Sequence, residues 1–131
     1  MQTLRLIIFK DGRPGHEKQT DGLVAALARY VKTELVTFNV PHNAVFSEVK
    51  SYLAFFLHQS ESPCSGHMPD LIMGTGSRTH IPVLACKRET GAKAIVCTAP
   101  NMLLRNYFDL CLVPIHDQLI NSDNTFATIG P

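Results

Sequence analysis

LRLIIFKDGRPGHEKQTDGLVAALARYVK, residues 4–32, decides the fold. It opens on a short apolar run, Leu4 to Phe9, bounded by Gly12, Pro14 and Gly15, the pattern of a buried strand running into a loop. Beyond the loop, Leu23, Val24, Leu27, Ala28 and Val31 recur at helical spacing, so a helix with one apolar face is expected from about Glu17 to Lys32. Strand, glycine loop and helix are the opening of a βαβ layer.

The rest of the chain repeats that alternation. Leu35 to Val40 reads as a second strand closed by Pro41, and Val45, Phe46, Val49, Tyr52, Leu53, Phe56 and Leu57 follow the helical period. A polar loop from His58 to Pro69 leads to a third strand, Leu71 to Met73, broken by Gly74-Thr75-Gly76-Ser77. The third helix is expected to take Thr79 as its N-cap, because Pro82 lacks an amide hydrogen and is tolerated only in a first turn. Ala94 to Cys97, Asp109 to Val113 and Phe126 to Ile129 supply further strands. Strands that are apolar throughout are covered on both faces. The expected fold is therefore α/β: a three-layer, doubly wound, Rossmann-like domain over residues 1–131 with a mainly parallel sheet of five or six strands.

Composition agrees and excludes several functions. With 131 residues and 45% hydrophobic content, the chain can bury one core. Twelve Lys and Arg against eleven Asp and Glu leave a net charge of +1, and the few aromatics are not interleaved with basic residues, so nucleic acid is not an expected partner. No apolar run approaches the ~20 residues of a membrane span or the core of a signal peptide, which points to a cytoplasmic protein. Cys64, Cys86, Cys97 and Cys111 fall singly, mostly in apolar segments, as buried hydrophobes of a reducing compartment do; disulfides are not expected. Cys64-x-x-His67 lacks a second ligand pair, so no metal is expected, and no cofactor motif is present.

Right-handed crossovers collect the strand-to-helix loops at one sheet edge. There Asp11, Gly12, Arg13 and Gly15 either turn the chain or cradle a phosphate beside His16 at the positive end of a helix. Gly74, Gly76, Ser77, Arg78 and Thr79 offer backbone N–H groups, hydroxyls and a guanidinium for an anion, or cap a helix. His116 and Asp117, after the fifth strand, form either an acid–base pair or part of a surface loop. No G-x-S-x-G elbow or H-E-x-x-H motif occurs.

The ordered set DGRPGHEKQTDGL, PDLIMGTGSRT and FDLCLVPIHD resembles the N-terminal half of the mitochondrial-fission "elongated mitochondria" family. Bacterial members resemble two-domain glycosyltransferases of the GT-B type, and the plant member is implicated in recruiting a dynamin-related protein. The resemblance implies an acceptor-side domain whose loop at Gly12, Gly15 and His16 faces a sugar-nucleotide or lipid-linked phosphate, with His16 as base or phosphate contact. It further implies a missing C-terminal domain that completes the cleft, or else a non-enzymatic adaptor that binds a protein partner, peripheral to a membrane or in oligomeric form. Two positions depart from the family pattern: Ser77 stands where a second Arg is usual, and Thr98-Ala99-Pro100-Asn101 replaces an Asp-Pro pair. Both departures weaken an anion or acid–base role.

Overall fold

The computed structural model describes residues 3–40, 53–57, 64, 66–97, 100, 104–114 and 124–128. Strand β1 (Thr3–Lys10) leads into helix α1 (Pro14–Ala28) and strand β2 (Lys32–Asn39). Strand β3 (Leu71–Gly74) is followed by a 3₁₀ turn (Ser77–Thr79) and helix α2 (His80–Thr90). Strands β4 (Lys93–Val96), β5 (Leu110–Pro114) and β6 (Thr125–Thr128) complete a six-stranded sheet of order β2-β1-β3-β4-β5-β6. Every pairing is parallel. This is the Rossmann-like layer expected.

The register explains which side chains form which core layer. Ile7 aligns with Ile72 and Ile72 with Ala94, so one face of the sheet carries Ile7, Phe9, Ile72, Ala94 and Val96. These pack with Val83, Leu84 and Cys86 of α2 and with Phe55, which lies in a helical turn at 53–56. The opposite face carries Leu6, Ile8 and Met73, against which Leu23, Val24 and Leu27 of α1 are packed. Truncating a buried side chain such as Ile7 to Ala would cost about 2–5 kcal/mol through lost transfer energy and a residual cavity. Helices on opposite faces are what same-handed crossovers produce when the chain first moves from β1 to β2 and then turns back across β1 to β3.

Several element boundaries differ from the sequence expectation. The first helix begins at Pro14, because proline's fixed φ and missing N–H suit the first helical position. Strand β2 begins at Lys32, yet it is not covered on both faces: Leu35 and Val36 are 50% and 36% exposed. Its place at the sheet edge accounts for this, since β1 flanks it on one side only. α2 does start after Thr79, with Pro82 as its third residue, but the Thr79 hydroxyl turns back to donate to the Gly76 carbonyl at 2.7 Å rather than capping the helix.

The expectation about cysteines is overturned. Cys64 and Cys86 form a disulfide, their Cα atoms 5.5 Å apart, while Cys97 and Cys111 are buried thiols. Nothing in a spacing of 22 residues signals the pairing; it arises because the turn at Cys64 packs against the middle of α2. No helix among the described residues is long and apolar enough to cross a membrane.

Candidate functional site

The chain reverses its direction of travel across the sheet between β1 and β3, and in open parallel sheets the crevice at the carboxyl ends of two such strands is where ligands bind. Phe9 aligns with Gly74, so the loops that follow β1 and β3 leave the sheet side by side. They touch. A Cβ placed on Gly76 would lie 2.5 Å from His16 Nδ1 and 2.6 Å from Asp11 Oδ2, a separation no real side chain tolerates.

Asp11 and His16 form the centre of this contact. The Asp11 carboxylate is almost wholly buried: its Oδ1 accepts the Arg13 N–H at 3.1 Å, and its Oδ2 lies 2.6 Å from His16 Nδ1. A carboxylate can only accept, so Nδ1 carries the proton and Nε2 of a neutral imidazole carries the lone pair. The His16 side chain stays 28% exposed, within reach of solvent or ligand. The arrangement is that of a histidine whose tautomer and orientation are fixed by a buried carboxylate, leaving one ring nitrogen to accept or return a proton.

Hydroxyl groups fasten the two loops from beneath. Thr20, on α1, shares a 2.6 Å hydrogen bond with Thr75 and donates to the His16 carbonyl at 3.4 Å. Cys97 follows β4, and burial raises its thiol pKa against the opposing effect of the Thr75 hydroxyl. Thr20 was not singled out by sequence, and only its position one helical turn after His16 could have suggested it.

The remaining candidates separate by exposure. Gly12, Arg13, Gly15 and Ser77 face outward, and Arg78 is half-buried. Gly12 has a positive φ of 82°, which the turn requires of a glycine. Gly15 has open space where a Cβ would be, at a helix start whose Arg13 N-cap makes no side-chain cap bond. Gly74 and Thr79 instead serve packing: a Cβ on Gly74 would meet the Thr79 side chain at 2.6 Å and Val83 at 3.2 Å. His116, Asp117 and Thr98 lie outside the described residues. Among the described residues, no group of three or more His, Cys, Asp or Glu side chains could hold a metal ion.

These features define a parallel α/β domain with a His–Asp pair set in the crevice at its sheet reversal. The chain belongs to the mitochondrial fission ELM1 family, whose model matches residues 14–131. No curated protein and no solved structure matches it.

Proposed function

We propose that this chain is the acceptor-side, N-terminal domain of a glycosyltransferase-like protein of the two-domain GT-B type, binding a phosphate- or diphosphate-bearing ligand in the β1–β3 crevice. The observation that carries the reading is the His16–Asp11 pair, fixed at 2.6 Å beside an open helix start. Uncapped N–H groups and the positive end of the α1 dipole attract the anion. His16 Nε2 takes the proton of the acceptor hydroxyl as it attacks, and Asp11 stabilises the imidazolium that forms. A second domain supplies the donor-side wall, since orienting both substrates provides much of the rate. The protein then works in the cytoplasm, peripheral to the membrane that carries a lipid-linked acceptor.

A second reading, a non-enzymatic adaptor, draws on the exposed apolar side chains Leu53, Phe56, Leu57 and Tyr107. Phe56 and Tyr107 have ring centroids 6.3 Å apart, so part of this surface is contiguous. Titration with inorganic phosphate, UDP-sugars and an undecaprenyl phosphate analogue separates the two readings. The first expects saturable binding that weakens in Gly15→Ala, where a methyl group enters the ligand's space. Absence of binding by all three probes removes it and leaves the adaptor.

A further inference from the structure

We propose that the Cys64–Cys86 bond is a reducible clasp, opened by attack of a dithiol at Cys64 and governing whether the turn leading into β3 stays fastened to α2. The two cysteines differ in what they border. Cys64, with Arg5, His67, Asp70 and Thr90, borders a cleft of about 970 Å³ at the amino edge of the sheet, the edge opposite His16. Cys86 does not border it, although both cysteines are fully buried and belong to one core cluster.

The turn beyond Cys64 is held mainly at its ends. His67 N–H donates to the Cys64 carbonyl and Asp70 N–H to the Arg5 carbonyl, each at 2.9 Å. Asp70 also accepts the Arg5 N–H on its carboxylate at 2.8 Å and the Lys93 N–H on its carbonyl at 3.2 Å, and the His67 ring meets Phe38 edge-on, while Met68 between the ends is exposed. Gly66 holds a positive φ of 86° with open space around it. By contrast, the neighbouring tie to α2 does not depend on sulfur: Arg88 donates to the Phe55 carbonyl at 2.7 Å and lies 4.0 Å above the Phe55 ring. Breaking the disulfide therefore releases the Cys64 end of the turn, while the Arg88 tie and the Asp70 bonds to Arg5 and Lys93 remain. Such a bond persists in an oxidising compartment and opens and closes with the thiol poise of a reducing one.

The exchange balances as follows. A thiolate of the dithiol attacks the Cys64 sulfur, the Cys64–Cys86 bond breaks, and Cys86 leaves as a thiolate that takes a proton. The second thiol of the reductant then displaces Cys64, so two electrons and two protons reach the cysteine pair and the dithiol becomes a disulfide. Both sulfurs are buried in the closed form, so attack requires local opening of the turn. The other cysteines stay out of the reaction, because burial pushes the Cys111 thiol up to about 11 and raises that of Cys97.

The test equilibrates the full chain in graded ratios of reduced to oxidised dithiothreitol, blocks thiols with N-ethylmaleimide, and maps the label by mass. The expected result is joint labelling of Cys64 and Cys86 while the far-UV spectrum is native. Hydrogen exchange should rise at residues 66–68 and not in β1 or β3, and the melting temperature should fall by about 10 °C. In single variants, oxidised glutathione should couple to Cys64 in Cys86→Ser, and much more slowly to Cys86 in Cys64→Ser. The double variant Cys64→Ser/Cys86→Ser should show the exchange pattern of the reduced protein. Labelling that occurs only with global unfolding, free thiols at both positions in oxidising buffer, or a double variant that exchanges like the oxidised protein would overturn the proposal.

Discussion

Replacing Gly76 by Ala perturbs the site at its narrowest point. Gly76 has φ 98° and ψ 155°, a region that only glycine populates readily, so any side chain there costs about 1–3 kcal/mol in backbone strain. The added Cβ would also lie 2.5 Å from His16 Nδ1 and 2.6 Å from Asp11 Oδ2, forcing the pair apart. Losing a hydrogen bond to a charged group adds about 1.5–3 kcal/mol, for a total of about 3–5 kcal/mol. That is a large fraction of the ~5–15 kcal/mol that holds a domain folded. Urea unfolding followed by circular dichroism should place the Gly76→Ala midpoint about 2 M below wild type for a slope near ~2 kcal/mol/M. Gly15→Ala, with open space around its Cβ, should stay within about 1 kcal/mol of wild type. In a His16→Ala background the cost of Gly76→Ala should shrink by about 1–2 kcal/mol, because the strain remains and part of the collision is gone. A Gly76→Ala protein as stable as wild type, or a cost unchanged by removing His16, would refute the packing described here.

Three further predictions follow from the same structure. Burial lowers the His80 pKa from its ordinary 6.5 to about 4, so the unfolded chain binds a proton that the folded one refuses between those pH values. Stability from this source should be complete above about pH 6.5 and fall by about 3 kcal/mol as pH drops to about 4; in His80→Gln that slope should vanish from the pH dependence of unfolding. Removing the disulfide, which closes a span of 22 residues, should lower stability by about 3 kcal/mol in denaturant titrations of Cys64→Ser/Cys86→Ser, with full-strength loss excluding a pre-ordered unfolded loop. Thr75→Val should cost about 0.5–1.5 kcal/mol by leaving the buried Thr20 hydroxyl only its 3.4 Å bond to the His16 carbonyl, and Thr20→Val/Thr75→Val should cost less than the sum of its parts, which a double-mutant cycle measures.

The order of strands and helices was legible because each strand is a run of apolar residues stopped by glycine, proline or charge. Leu4 to Phe9 and Leu71 to Met73 fall within β1 and β3 for that reason, and the meeting of their loops follows from parallel pairing. What escaped the sequence depends on tertiary neighbours. The disulfide required knowing that the turn at Cys64 lies on α2, and the weak cover of β2 required knowing that it sits at the edge. The glycines of the second loop were recognisable as special positions, but not the reason for each: Gly74 admits Thr79 and Val83, whereas Gly76 admits His16 and Asp11. The Asp11 carboxylate turns inward and meets His16 Nδ1 at 2.6 Å. Spacing alone could not distinguish these, because a five-residue separation in a loop fixes no direction for either side chain.

The most direct check is the ring-nitrogen NMR spectrum of His16 recorded while pyrophosphate is added. The expected result is a proton held on Nδ1, toward Asp11, and a saturable change at Nε2 as pyrophosphate fills the crevice. A ring whose Nδ1 carries no proton, or a ring spectrum indifferent to pyrophosphate, would contradict it.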